Sequence, residues 1–104
     1  VVSKKRRLTY SASKAALNGM TRALAIELAP HNILINAVAP GYVNTELTRQ
    51  NNSEQDINVI KETIPLQRLA EPNEIAETVF FLCSERNTYI TGQVITVDGG
   101  FTCQ

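Results

Sequence analysis

A tyrosine and a lysine stand four residues apart among small side chains near the start of the chain. The stretch LTYSASKAAL, residues 8–17, contains Tyr10 and Lys14. Four residues are slightly more than one helical turn, so the two side chains would share one face of a helix. An ammonium near a phenol favours the phenolate, and such a pair could donate a proton near neutral pH. The alternative is an ordinary helix in which Lys14 is an exposed lysine. The pair alone does not distinguish these two interpretations, and the other motifs of the chain are needed.

Composition excludes several other kinds of chemistry. The 104 residues suffice for one small domain, and ten Lys plus Arg balance ten Asp plus Glu. Zero net charge gives no bulk attraction to nucleic acid or to an anionic membrane, and no apolar run is long enough to span a bilayer. His31 is the only histidine, which argues against a histidine triad or a multi-histidine metal site. We therefore expect no nucleic acid, no membrane and no metal partner.

The helix that must position Tyr10 and Lys14 is predicted from Thr9 to Ala29. It carries two apolar stripes, one of large residues and one of small ones that would let another backbone approach closely. A helix apolar on two faces is expected to be buried on two faces, against a sheet and against a second subunit. The large stripe comprises Leu17, Met20, Leu24 and Leu28, and the small stripe Ala12, Ala16, Gly19 and Ala23.

Two strands are predicted after this helix. The run ILINAVA, residues 33–39, is almost continuously apolar and stops at Pro40-Gly41, which is typical of a strand covered on both sides. QVITV, residues 93–97, is the second β-rich run, and the Asp98-Gly99-Gly100 sequence that follows is expected to form a turn rather than do chemistry. Val1 and Val2 would be the end of a third strand.

Two further helices are predicted between the strands. Ser53 and Asp56 have the spacing of a capping box, and an isoleucine stripe follows at 57, 60 and 64. Pro72 suits the first position of the next helix. Cys83 falls in its apolar run and is expected to be a buried free thiol, which makes the cytoplasm the default location. The inner face of that helix would comprise Ile75, Ala76, Val79, Phe80 and Cys83.

The order helix, strand, short helix, helix, strand predicts an α/β fold with a parallel sheet. Two strands cannot cover these helices, so residues 1–104 are expected to form the C-terminal part of one larger domain.

Four segments together resemble the C-terminal portion of the short-chain dehydrogenase/reductase family, along nearly the whole chain. YSASK is similar to the family's Y-x-x-x-K, and NAVAPGYVNTEL to its strand-end motif N-x-x-x-P-G-x-[VI]-x-T. IPLQRLAEPNEIA and YITGQVITVDGG are similar to two later family stretches. The resemblance implies a doubly wound, Rossmann-type parallel sheet and an NAD(P)-dependent oxidoreductase that interconverts a carbonyl and an alcohol by hydride transfer.

The resemblance also implies roles for individual residues. Tyr10 would be the general acid/base, and Lys14 would favour its phenolate and hold the nicotinamide ribose. Pro40 and Gly41 would end a strand at the cofactor site. The backbone of Val43 and the side chain and backbone of Thr45 would clamp the nicotinamide carboxamide, and Thr45 could in addition be a helix N-cap.

Other residues are assigned simpler roles. Ser3 is expected in a loop, His31 in a surface turn, and Tyr42 and Tyr89 in packing. KKRR, residues 4–7, is expected to be a solvated loop, with an anionic substrate handle as the alternative. Gln67 and Ala70 stand where the family often has glycine, which affects only local loop shape.

The family's glycine-rich phosphate loop and catalytic serine have no counterpart in these residues. The isolated chain is therefore expected to be an inactive fragment, and the full-length enzyme a homo-oligomer, either dimer or tetramer. Residues 46–63 would form a substrate lid. A 3-oxoacyl thioester, carrier-bound and anionic, and a sugar or polyol carbonyl both remain open as substrates. Two alternatives also remain: a non-catalytic remnant that serves assembly, and an epimerase or dehydratase with the same Y-x-x-x-K.

Overall fold

The computed structural model describes the backbone of residues 2–104 and the side chains of residues 8–104. Within that part of the chain the elements follow the predicted order, except that a further helix, Glu46–Asn51, precedes the two helices predicted between the strands. No helix among the described residues has the length and apolar content to cross a membrane. The elements are α1 (Val2–Leu28), a 3-10 turn (Ala29–His31), β1 (Ala37–Pro40), α2 (Glu46–Asn51), α3 (Glu54–Thr63), α4 (Pro72–Cys83), β2 (Val94–Val97) and a second 3-10 turn (Phe101–Cys103).

Strands β1 and β2 pair with each other in parallel. The Ala37 N–H donates to the Gln93 carbonyl at 2.9 Å, and the Gly41 N–H donates to the Val97 carbonyl at 2.9 Å. Both strands therefore advance by four residues between the two bonds, so they run in the same direction. This pairing confirms the predicted α/β fold with parallel strands.

β1 is shorter than the predicted 33–39, because before Ala37 side chains make most of the bonds to residues 90–93, and the Gly92 N–H bond to the Ile35 carbonyl at 2.6 Å is the backbone bond that remains there among the described residues. The Ile35 N–H donates to the Thr91 hydroxyl at 3.0 Å. Asn36 donates from its side-chain amide to the Ile90 carbonyl at 2.9 Å, and accepts from the Gln93 N–H at 3.0 Å. These bonds do not follow the pattern that defines a strand.

The chain divides into two units, residues up to 37 with 88–94, and residues 38–87 with 95–104. The first unit is dominated by α1, which begins at Val2 rather than at Thr9. The predicted strand at Val2 and the predicted loop at Ser3 and residues 4–7 are therefore wrong, since this backbone is helical; lysine and arginine are good helix formers. Val1 and the side chains of residues 2–7 lie outside the described part.

α1 is less buried than its two apolar stripes predict. Among the α1 side chains from residue 8 onward, Thr21 and Ala25 are buried, whereas Leu17 and Met20 are half exposed, and the small stripe is exposed. Ala25 faces Gly92, where an added Cβ would lie 3.4 Å from the Ala25 Cβ. The described residues of this unit thus cover a single narrow face, and burial of the second face against another subunit stays a prediction.

The second unit contains α2, α3 and α4. Ser53 and Asp56 form the predicted capping box, with bonds of 3.0 and 3.1 Å. The isoleucine stripe of α3 ends at Ile64, which is 2% exposed, and Leu69 lies nearby in the sequence at 6%. Pro72 begins α4 as predicted.

The predicted inner face of α4 is largely uncovered. Phe80 is 77% exposed, Val79 43%, and Cys83 is an exposed free thiol, so its predicted burial is wrong. Apolar helix faces of this kind need a sheet or another helix to pack on, and two four-residue strands offer too little surface.

Candidate active site

Tyr10 and Lys14 share one face of α1, as their spacing predicts. The Lys14 Nζ lies over the Tyr10 ring, 5.5 Å from its centroid. This is within cation–π range, so the ammonium faces the ring and not the hydroxyl alone. Tyr10 is 61% exposed, so its hydroxyl is available to a ligand. The first unit therefore supplies a phenol with a neighbouring cation.

Pro40 and Gly41 end β1, as expected, and Gly41 has a steric reason to be glycine. A Cβ at Gly41 would lie 2.7 Å from the Asp98 Cβ and 2.8 Å from its Cα. Non-bonded contacts of a Cβ with another carbon atom are essentially never this short. The strand end and the residue after β2 can therefore approach this closely only without a side chain at position 41.

Val43 lies in an isolated parallel bridge with Ala70. Ala70 donates its N–H to the Tyr42 carbonyl at 2.9 Å and accepts from the Asn44 N–H at 2.8 Å. Since the residues flanking Val43 make these bonds, its own N–H and C=O point away from Ala70. The Val43 carbonyl accepts from the Thr48 hydroxyl at 2.9 Å. No hydrogen bond from the Val43 N–H to a described residue is formed, which leaves this donor open.

Thr45 is the N-cap of α2, as its alternative reading predicts. Its hydroxyl accepts from the Thr48 N–H at 3.2 Å and lies 2.9 Å from the Thr48 hydroxyl. The Thr48 hydroxyl has one proton, which goes to the Val43 carbonyl, so in the contact between the two hydroxyls Thr45 must be the donor. One lone pair of the Thr45 oxygen remains, and it can accept a hydrogen bond from a ligand.

Side chains that the sequence analysis did not single out hold this strand end in place. Asn44 donates to the Glu71 carboxylate at 3.2 Å and accepts from the Arg49 Nε at 2.8 Å. Asn44 and Glu71 are far apart in the sequence, so no local pattern could have revealed the pair. Together with residues of α3 they line a cavity of about 530 Å³ within the second unit.

An ion pair fixes the start of α4. Arg68 binds Glu74 through two nitrogen–oxygen contacts of 2.6 and 2.9 Å, and Glu74 also accepts from the Glu71 N–H at 2.9 Å. The hydrogen bond from Arg68 lowers the pKa of Glu74 to about 2, and the backbone bond adds to the effect. The sequence analysis did not predict this pairing of Glu74 with Arg68.

The turn after β2 has the structural role predicted for it. The Asp98 carboxylate accepts from the Gly100 N–H at 3.0 Å and from the Thr102 N–H and hydroxyl at 2.9 and 2.7 Å. These bonds, that of the Thr102 hydroxyl first, lower the pKa of Asp98. The turn follows β2 because Gly99 and Gly100 adopt φ values of 64° and 92°.

The simpler roles assigned to other residues are partly confirmed. Tyr42 packs edge-on against Phe101, with ring centroids 5.6 Å apart, and His31 lies in a surface turn. Tyr89 is 96% exposed, so its predicted packing role is wrong. Gln67 adopts a φ of 57°, a left-handed conformation that suits glycine, the residue that the family often has here.

The structure thus places the predicted residues in two groups. Tyr10 and Lys14 belong to the first unit, and Pro40, Gly41, Val43 and Thr45 follow one another in the second. The cations at residues 4–7 lie outside the side chains that the structure describes.

Comparisons with known proteins agree on one family. The family model described as enoyl-(acyl carrier protein) reductase matches residues 1–102. The 3-oxoacyl-(acyl-carrier-protein) reductase FabG of Aquifex aeolicus is 53% identical over 93 residues, which is 89% of this chain and 37% of that protein. The chain therefore spans about a third of the length of such relatives.

Solved structures show the same likeness. A short-chain dehydrogenase family protein from Francisella tularensis superposes with a TM-score of 0.86 at 38% identity, over 91% of this chain and 43% of that one. A 4-hydroxyisoleucine dehydrogenase complexed with NADH gives a TM-score of 0.84 at 34% identity, over 91% and 40%. The parallel strand pairing and these matches agree: the chain belongs to the short-chain dehydrogenase/reductase family and forms part of that family's Rossmann-type fold.

Proposed function

We propose that the protein carrying this chain is an NAD(P)-dependent oxidoreductase that interconverts a carbonyl and an alcohol. The observation that carries the proposal is the Tyr10–Lys14 pair on one exposed face of α1, with 5.5 Å between the ammonium and the ring centroid. The named relatives are reductases and dehydrogenases, and one of them is complexed with NADH. These names support a nicotinamide cofactor in either its NAD or NADP form.

Tyr10 holds and moves the proton in this proposal. Its exposed hydroxyl donates a proton to the substrate oxygen as the carbonyl is reduced, and takes it back in the reverse direction. Lys14 stabilises the negative charge left on the phenol, since an ammonium this near a developing anion is favourable. A second part of its role is to donate hydrogen bonds to the ribose next to the nicotinamide.

The donor set at the strand end fits a nicotinamide carboxamide, which offers one carbonyl oxygen and one amide nitrogen. The open N–H of Val43 would donate to the carbonyl oxygen. The remaining lone pair of Thr45 would accept from the amide nitrogen, because the proton of that hydroxyl is already directed at Thr48. When bound, the nicotinamide supplies the hydride, and the chain's own residues bind, orient and manage the proton.

Turnover by the full-length protein tests the proposal. We expect NADH or NADPH to be oxidised with at least one of two carbonyl classes, a 3-oxoacyl thioester or a sugar or polyol carbonyl. Tyr10→Phe should lower turnover by about 10²–10⁴-fold, the usual contribution of one general acid, and leave cofactor affinity nearly unchanged.

Tyr89→Phe is the matched control, because it removes the same hydroxyl from a tyrosine that is 96% exposed. It should turn over like the wild type. Near-normal turnover by Tyr10→Phe would refute the role of Tyr10, and no activity on either carbonyl class would refute the proposed reaction.

A further inference from the structure

The residues that follow β2 form several hydrogen bonds with one another. We call residues 98–104 the closing turn. The Asp98 carboxylate binds three donors within it, at Gly100 and Thr102, and the Cys103 thiol donates to the Gly100 carbonyl at 3.1 Å. A segment with this many internal bonds per residue can act as a rigid spacer.

On one side, the closing turn contacts the end of α3. The Gln104 side-chain amide donates to the Thr63 carbonyl at 2.8 Å, and the Leu66 N–H donates to the Gly99 carbonyl at 3.2 Å. A Cβ at Gly99 would lie 2.9 Å from the Ile64 Cγ2, so the turn and the helix end are in close contact. Thr63 is in the last turn of α3, where carbonyls lack intrahelical partners, and Gln104 therefore supplies a missing cap.

On the other side, the closing turn contacts the end of β1. Phe101 packs edge-on against Tyr42 at 5.6 Å with an interplanar angle of 88°, a favourable aromatic geometry. Asp98 is the residue that approaches Gly41 so closely. The same seven residues thus contact the helix end and the strand end that carries Val43 and Thr45.

We propose that Gln104 and Phe101 are positioning residues that set how far α3 stands from the strand end. The proposal rests on the proposed function, and it takes α3 to belong to the substrate lid that the sequence analysis expects over residues 46–63. Neither residue touches reacting atoms. Gln104 fixes the lid helix, Phe101 fixes the strand end, and the closing turn holds both at one separation. Loss of Gln104 or Phe101 should then weaken the binding of bulky substrates most, because these make the most contacts with the lid.

Hydrogen exchange and kinetics on the full-length protein test this. Gln104→Glu keeps the side-chain length but cannot donate to the Thr63 carbonyl when ionised, whereas Gln104→Lys restores a donor. In Gln104→Glu we expect amide exchange in α3 to be about fivefold faster, as the loss of one net hydrogen bond implies, and in Gln104→Lys to return toward wild type. Cys103→Ser is the control, because its donor stays within the closing turn.

The kinetic readout separates positioning from simple destabilisation. For a long 3-oxoacyl thioester, Gln104→Glu and Phe101→Leu should raise KM about fivefold with kcat unchanged, the pattern of lost uniform binding. A short carbonyl substrate should show little change in KM. A lower kcat at constant KM would indicate only fewer folded molecules and would overturn the proposal.

The exchange measurement does not depend on turnover. Unchanged exchange in α3 of Gln104→Glu, or equal acceleration in Cys103→Ser, would overturn the positioning role. A wild-type protein that reduces no carbonyl would instead contradict the proposed function, and the two failures are therefore distinguishable.

Discussion

Helix α1 and the unit formed by residues 38–87 and 95–104 hold their proposed functional groups in different ways. On α1, Tyr10 and Lys14 are fixed by helical spacing alone, and only Thr21 and Ala25 are buried among its described side chains. In the second unit, Val43 and Thr45 are held by a bridge, a helix cap and two bonds to Asn44.

The two arrangements predict different effects of substitutions on activity and on stability. A pair set by helical spacing can be altered with little effect on folding, because few tertiary contacts depend on it. A group held by a hydrogen-bond network cannot be altered without an effect on folding, because each member of the network supports several others. Substitutions in α1 should therefore change activity more than stability, and substitutions at the strand end should do the reverse.

Among the substitutions that test this comparison, Lys14→Met has the largest expected effect, and it tests the statement about α1. Loss of hydrogen bonds from a charged donor should weaken cofactor binding by about 10–100-fold. Cofactor titration measures this effect. Unchanged cofactor affinity would contradict the proposed role of Lys14, and a large fall in the melting temperature would contradict the view that this pair is structurally independent.

Gly41→Ala tests the statement about the strand end in the second unit. The new methyl group would overlap the Asp98 backbone, and overpacking of this kind costs about 1–3 kcal/mol. Denaturant unfolding should show the loss. Gly19→Ala is the control on α1, where nothing lies within 4 Å of the added Cβ. It should stabilise the helix by about 0.5–1 kcal/mol. Equal effects of the two substitutions would contradict the comparison.

Gln67→Gly tests whether the left-handed backbone at position 67 lowers the stability of the second unit. Gln67 has a φ of 57°, and a non-glycine residue in the left-handed region costs about 1–2 kcal/mol. Glycine removes this cost but gains freedom in the unfolded chain, so the net gain in stability should be below about 1 kcal/mol. Gln55→Gly, the same change within α3, should be destabilising instead. A destabilised Gln67→Gly would mean that contacts of the Gln67 side chain outweigh the strain.

The smallest expected effect is a pH dependence at Glu74. Arg68 lowers the pKa of Glu74 to about 2. The ion pair therefore stabilises the folded state fully at any pH above the ordinary pKa of a glutamate, and this stabilisation is lost as the pH falls from there toward 2. In Glu74→Gln, this acid-induced loss of stability should be absent from unfolding curves recorded over the same pH interval. Glu77→Gln on the same helix is the control, since Glu77 has no ion pair among the described residues. Identical pH profiles for both variants would contradict this contribution.

The sequence predicted those features whose partners lie within a few residues. The capping box at Ser53 and Asp56, the cap at Thr45, Pro72 at the start of α4 and the turn at Asp98 are all of this kind, because the chemistry that forms them is local. The pairing of Tyr10 with Lys14 follows in the same way from helix geometry.

Features that depend on distant partners could not be predicted in this way. The contacts of Asn44 with Glu71 and of Gln104 with Thr63 join residues that no local pattern connects. Burial was predicted least well. Leu17, Phe80 and Cys83 have the periodicity of core residues, but periodicity shows only that a face is apolar and not what covers it.

The close approach of Gly41 to Asp98 has a consequence for how this sequence can change over time. A side chain at position 41 becomes acceptable only if the backbone at position 98 has already moved, and that movement would disturb the three bonds that Asp98 accepts. The two positions are therefore epistatic: the effect of a substitution at one depends on the residue and geometry at the other. Libraries that vary Gly41 alone should yield few folded variants, whereas libraries that vary both ends of this contact can reach solutions that no single substitution opens.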